Sequence, residues 1–429
     1  MAKTKSWVLT FGLAVFVLLF IVRDILALPL PSSLIAVWTV GVMMCLPFSE
    51  AVKYVFFIMP FASGFPGYTI LLALVVLILK TNKVNIWQIV PALIITLLEL
   101  VSVSFYEFAP SNKAVMSYIG FVILFFFLLF SKSELIDRKA CVRYFCVGTM
   151  FSLVIVYGVV ILNNGIAALI AGEVRSGLVM GAEDADEAVV GHLVMNANTI
   201  AYYAIVLMSI LLLGRKRIGL SRPVIGLGLI IAVLSGVCSF SRTWLLLGAV
   251  VTTLYLLTSR HKVVSILLVA AAAYVIMSTQ NAVFESIGGV FQARLENETM
   301  ATGGNRFTLF EDYNQAWMEH FRYVLIGTGA INYKVALGQE EAIHSGLQQI
   351  WVCHGIVGFV VFAMAVGAYL KRYRNKWLPF VFYIPLIACF IFDQSIQFLV
   401  PYPLMLPFLP TLYLLATKNE DGEYGRSVI

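Results

Sequence analysis

A chain of 429 residues that is 61% hydrophobic and only 12% charged, with a mean hydropathy of +0.92, is excluded as a soluble domain, because such domains carry about 25% charged residues. The net charge of +6 comes from 29 Lys and Arg against 23 Asp and Glu. These cations are spread along the chain and not gathered on one segment, which excludes a nucleic-acid partner. A crossing helix needs about 20 apolar residues, and the chain has material for about 12–14 of them, read as one polytopic, all-α integral membrane domain over residues 1–429.

In chain order, apolar runs predict helices over 7–23, 30–47, 66–80, 86–104, 114–131, 143–162, 196–213, 223–238, 243–257, 263–280, 347–369, 377–392 and 403–416. The first run stops at Arg23 and Asp24 with no small-residue cleavage site, so it reads as a retained helix. Those two charges either pair with each other or end the helix. The stretch 54–65 is short and broken by Pro60 and Gly64, with Pro66 and Gly67 beyond it; it reads as a re-entrant pair or as one extra short crossing. The six cysteines form no CxxC pair and read as small core residues.

Lys and Arg mark cytoplasmic loops. Most of them fall in 1–6, 48–53, 80–85, 131–143, 214–222, 259–262, 371–376 and 417–429, which alternate with the remaining loops and put both termini inside. The other cations are Arg23, Lys113, Arg175, Arg242, Arg294, Arg306, Arg322 and Lys334, all assigned to the outer side. Two long outer loops follow, 163–195 and 281–345. In the second, Phe307, Phe310, Tyr313, Trp317 and Phe321 recur at helical spacing, which predicts an amphipathic helix in a helical extracytoplasmic cap. His354 lies inside an apolar run and reads as a core histidine.

Four outer stretches carry the chemistry-bearing residues: Arg175 with Asn196 and Asn198, then Ser241-Arg242, then Asn305-Arg306, then His344-Ser345. Asn198, Arg242 and His344 each open a predicted inward helix, and Arg306 opens the amphipathic one. Helix starts favour anions, and a guanidinium fork binds two phosphate oxygens at once. An arginine at membrane depth needs a partner, and a lipid-linked pyrophosphate sits at that depth. A helix start also disfavours the imidazolium, so His344 is expected to be neutral and able to take a proton from a hydroxyl. Base plus arginines make a minimal, metal-independent glycosyl-transfer site with no cofactor. Each residue has a plain structural reading beside this one. Arg242 can snorkel to water, Arg306 and Arg175 can be solvated charges, and His344 can make a structural hydrogen bond. Arg294 reads first as structural and second as a substrate contact, a role also open to Asn196 and Asn198.

The pieces CSFSRTWLLL (238–247), GGNRFTLFEDYNQAW (303–317), LIGTGA (325–330) and HSGLQQIWVCHGIVGF (344–359), in this order and around a large outer loop, resemble the O-antigen ligase/polymerase superfamily of bacterial envelope glycosyltransferases. The resemblance covers about 196–370; the N-terminal helices match by hydropathy alone. It implies that Arg242 and Arg306 contact a donor pyrophosphate, that Arg175 adds a further contact, and that His344 is the catalytic base. It also implies an undecaprenyl-pyrophosphate-linked glycan as donor, a glycan or glycolipid as acceptor, a chain-length regulator as a partner, and chemistry at the outer face of the bacterial inner membrane. The Asn196–Asn198 pair resembles a polymerase motif. Ser345 departs from the Asn that follows the histidine in many relatives. Three functions therefore stand as expectations: a polymerase of lipid-linked repeat units, a ligase moving the glycan onto lipid A–core or another acceptor, and a polysaccharide or lipid transporter.

Overall fold

A chain segment away from water must satisfy its N–H and C=O groups within itself, so long uncharged runs close into helices. A computed structural model describes residues 2–81, 84–105, 112–131, 135–170, 193, 195, 197–258, 263, 267, 289, 306–339, 343, 345–373 and 408–417. The regular elements among them are all helical. In chain order they are α1 (Ala2–Phe20, continued by a π turn over Ile21–Ile25), α2 (Ser32–Cys45), α3 (Phe48–Ile58, continued by a 3₁₀ turn over Met59–Gly64), α4 (Tyr68–Lys80), α5 (Ile86–Val103), α6 (Asn112–Leu129) and α7 (Arg138–Ile170). Then come α8 (Ala197–Leu213), α9 (Arg215–Ile218), α10 (Arg222–Cys238), α11 (Arg242–Thr258), α12 (Arg306–Met318), α13 (Phe321–Ile326), α14 (Tyr333–Ala336), α15 (Gly346–Tyr373) and α16 (Phe408–Ala416).

Four of these are long and apolar enough to cross a membrane: Trp7–Ile25, Ile86–Val103, Arg138–Ile170 and Gly346–Arg372. Shorter apolar helices, such as Ala197–Leu213 and Arg222–Cys238, pack among them. Large apolar side chains stay uncovered along α1, α5 and α10, among them Trp7, Phe11, Leu93, Leu97, Ile230 and Leu234. Helices that expose such faces while burying Arg23, Glu99 and Arg217 are compatible with a membrane protein. The predicted runs at 263–280 and 377–392 lie outside the described residues, apart from Val263 and Leu267.

At the centre, α8 is buried on all sides, with Asn198 one of the few partly open positions before its last turn. It is flanked by α10 and α11, and α7 lies between α3, α10 and α16. The 54–65 stretch resolves as the end of α3 and its 3₁₀ turn, buried from Ala51 through Ala62 except at Lys53. It is one continuous element, α3 running directly into the 3₁₀ turn. Its backbone touches α7 at Gly148, where any side chain would overlap the carbonyl of Phe57. Close backbone approach of this kind substitutes for the hydrophobic drive that helices lack in lipid.

Two boundaries and one cysteine differ from the sequence reading. α7 runs on to Ile170 through a break at Gly165, so the start of the predicted loop 163–195 is helical. The aromatic stripe predicted over 307–321 is interrupted: α12 ends at Met318, and Phe321 starts a new helix with 79% of its surface exposed, while Tyr313 is fully buried. Cys45 is exposed, whereas Cys141, Cys146 and Cys353 are buried.

Polar contacts between elements sort by the charge pattern. Arg23 with Gly64, Asp24 with Leu193, Tyr157 with Ser235, Ser241 with Asn198 and Glu99 with Ala330 join stretches assigned to the outer side or the helix halves that lead to them. Lys80 with Met44, Gln88 with Ser131, Arg138 with Ser131 and Arg217 with Thr417 join stretches assigned to the inner side.

Candidate functional site

The turn between α10 and α11 is built around Phe240. Its φ of 47° lies in the left-handed region, which costs a bulky L-residue about 1–2 kcal/mol. Burial of its ring at 1% exposure offsets that cost. The turn is closed by Ser239, whose hydroxyl donates to Gly236 O at 2.6 Å and accepts the Ser241 amide at 3.3 Å. Ser241 is the N-cap of α11, since its carbonyl accepts the Leu245 amide at 3.2 Å. Its hydroxyl is thereby turned sideways and donates to Asn198 Oδ1 at 3.3 Å. The start of α8, with Asn198, therefore lies against the start of α11, with half-buried Arg242. Two helix N-termini stand side by side at one end of the bundle, a setting that favours an anion.

A second junction forms between α12 and α15. Ser345 caps α15: its hydroxyl accepts the Gln348 amide at 3.3 Å and its carbonyl accepts the Gln349 amide at 2.9 Å. Serine and asparagine cap helices comparably well, so either residue would fill this local role. The Ser345-x-x-Gln348 pattern would normally close a capping box. Here the Gln348 side chain reaches across to α12: its Nε2 donates to Phe310 O at 2.7 Å and to Asn314 Oδ1 at 3.3 Å, and Trp351 Nε1 donates to Asn314 Oδ1 at 3.1 Å. The helix opened by Arg306 is thus fastened to the first turn of the helix that follows His344. The Tyr333 and Tyr313 rings pack at a tilt, with centroids 5.9 Å apart. Burial pushes the Tyr333 phenol well above its ordinary range, with Cys353 adding to the rise and a backbone hydrogen bond at Ile343 opposing it.

The structure brings Asn198 and Arg242 to one junction and places Arg306 at the start of α12. Arg175, Asn196, Arg294 and His344 lie outside the described residues, as does the side chain of Arg306. Among the described residues, no group of three or more His, Cys, Asp and Glu side chains gathers at a metal-binding distance.

One group escaped the sequence reading. Glu99, fully buried in α5, accepts the Ala330 amide at 2.7 Å and the Ile331 amide at 3.3 Å. The signal was present, because a lone acid in an apolar run marks a partner. That partner is the LIGTGA segment. Thr328 N and Gly329 N in turn donate to Val352 O and Cys353 O at 3.0 and 2.9 Å. Those carbonyls are open because α15 breaks at Gly355, with φ 63° and ψ −171°. His354 lies beside that break, its Nε2 3.2 Å from the Tyr118 hydroxyl. This places it in the core, as its apolar surroundings predict.

No protein-family model matches the chain, and no curated protein matches it.

Proposed function

We propose that the chain is a membrane glycosyltransferase that polymerises undecaprenyl-pyrophosphate-linked glycan repeat units at the outer face of the bacterial inner membrane. The observation that carries the reading is the Ser241–Asn198 hydrogen bond, which sets two helix N-termini and Arg242 at one end of the bundle. Neutral His344 takes the proton of an acceptor hydroxyl, whose oxygen bonds to the anomeric carbon of the donor as the bond from that carbon to the pyrophosphate oxygen breaks. Arg242 and Arg306, with Arg175, hold the departing pyrophosphate, where guanidinium donors act most strongly on developing charge. Asn196, Asn198 and Arg294 contact the glycan. The segregation of polar contacts into two ends supports a topology with these residues outside and both termini inside.

The test is turnover by purified protein given lipid-linked repeats alone. Longer chains are expected from the native chain. With Arg242→Lys, which keeps the charge and loses the two-pronged contact, activity falls at least 10-fold, by about 1.4 kcal/mol or more in transition-state stabilisation. His344→Ala is expected to abolish the product. Normal turnover in His344→Ala refutes the general base. A product formed only when lipid A–core is supplied identifies a ligase, and labelled lipid crossing vesicles with no new glycosidic bond identifies a transporter.

A further inference from the structure

Helix α13 packs against α15, yet none of its residues is buried. Phe321, at its start, exposes more of its surface than any other large apolar residue described. Leu325 lies one turn on along the same face and is exposed as well. Between them in sequence, Arg322 turns onto aromatic rings. Its guanidinium stands 4.2 Å from the centroid of the Phe105 ring and 4.8 Å from that of Tyr323. Phe105 lies just beyond the end of α5 at Val103, so this contact ties α13 to the end of a helix long and apolar enough to cross a membrane. What covers the apolar face of α13 depends on how high in the bilayer that end stands.

Two helices give that height independently. In α15, Gly355 lies against the backbone of Leu325, and exposed Arg372 closes the other end. From Gly355 to Arg372 the helix is about 25 Å long. The hydrocarbon layer is about 30 Å thick, so with Arg372 at the inner rim Leu325 lies within the outer edge of that layer. In α5, the rise from Ile86 to Val103 is about 27 Å. Exposed Trp87 marks the inner rim, where indole rings gather, so Phe105 and the guanidinium on it stand at the outer rim. An exposed stripe also climbs α5 in steps of four, Leu93, Leu97 and Val101, and reaches Phe105. The apolar face of α13 therefore continues a surface that faces acyl chains. We infer that α13 is a monolayer anchor: Phe321 and Leu325 enter the acyl chains of the outer leaflet, while Arg322, braced by Phe105 and Tyr323, stays level with the lipid phosphates. The anchor holds the adjoining end of α12 down on the bilayer, and it depends on no part of the transferase reading.

Fluorescence quenching in the purified full chain, reconstituted into phosphatidylethanolamine–phosphatidylglycerol nanodiscs, tests this. Bimane is attached to Phe321→Cys, Leu325→Cys or Glu311→Cys in a Cys45→Ser background, and the background protein without an added cysteine sets the baseline. All three substituted side chains are exposed, so the variants lose no buried contact. At 321 and 325, phosphatidylcholine carrying a nitroxide at carbon 5 of its acyl chain is expected to lower the fluorescence at least twofold, and by more than the same lipid carrying it at carbon 12. Aqueous iodide is expected to have little effect there and to quench the label at 311, on α12. Iodide quenching at 321 and 325 equal to that at 311 puts the face in water and overturns the inference. Stronger quenching from carbon 12 overturns the shallow placement. Protection of both sites from lipid nitroxide and iodide alike overturns it too, because protein, such as a second copy of the chain, then covers the face.

Discussion

Arg23 and Asp24 show how two adjacent charges at the end of an apolar helix are retained. The π turn carries both of them in a buried position. The guanidinium meets its neighbour's carboxylate in a two-pronged pair, Nε to Oδ1 at 2.6 Å and Nη2 to Oδ2 at 2.9 Å, and donates further to Gly64 O at 2.7 Å and Ser32 Oγ at 3.2 Å. Its carbon lies 4.7 Å from the centroid of the Phe20 ring. Asp24 Oδ2 also accepts the Leu193 amide at 3.3 Å, so this pair ties α1 to the chain just ahead of Asn196 and Asn198. Asp24→Ala removes the carboxylate from a buried guanidinium and is expected to cost about 3–5 kcal/mol. Thermal unfolding in detergent reads that loss directly; an unchanged midpoint shows that Gly64 and Ser32 suffice for Arg23.

On the scale of elements, α15 is the one whose behaviour departs most from its sequence. Its apolar run predicts an unbroken helix over 347–369, yet Gly355 interrupts it. A Cβ at Gly355 would overlap the backbone of Leu325, and one at Gly327 would overlap the backbone of Cys353, so two glycines let α13 and α15 touch main chain to main chain. Both also hold positive φ, 63° and 85°, where a side chain is strained. The carbonyls freed by the break are taken up by the 328–329 amides, and Glu99 takes up the next two amides. Glu99→Ala leaves those buried amides unpaired, at about 1–3 kcal/mol each. Hydrogen exchange of the 328–331 amides is the readout. Exchange at Ala330 and Ile331 rises in Glu99→Ala and stays close to native in Glu99→Gln, which keeps one acceptor. Equal protection in all three proteins assigns the order of this loop to α15 alone.

For the whole molecule, the consequence of the charge pattern is sidedness. Ser221 and Glu319 are both exposed, Ser221 in an inner stretch and Glu319 in an outer one by the positive-inside rule. In a Cys45→Ser background, Glu319→Cys is expected to react with a membrane-impermeant maleimide on intact cells, and Ser221→Cys only after permeabilisation. The reverse labelling inverts the topology and moves the Arg242 junction to the cytoplasmic side. The buried core of aromatic rings, such as Phe16, Phe57 and Phe61, lies between these two polar ends. Among the described residues, the inter-helix polar contacts named above fall toward the two ends, with aromatic rings packed between them, as expected where water is absent.

Much of this was legible in the residues themselves. Apolar runs fixed the helices, because backbone hydrogen bonding in such runs depends only on near neighbours. Local capping chemistry set the starts of α11 and α15, where Ser241 and Ser345 act within four residues of themselves. Tertiary contact decided the rest, because the deciding partner lies far along the chain. The break at Gly355 follows from a backbone about 30 residues away. The partner of Glu99 comes from more than 230 residues on. The union of 54–65 with α3 depends on α7, and the meeting of Asn198 with Ser241 depends on the packing of α8 against α11. Periodicity carries no record of such pairings, since a sequence pattern states which face is apolar and not what will cover it.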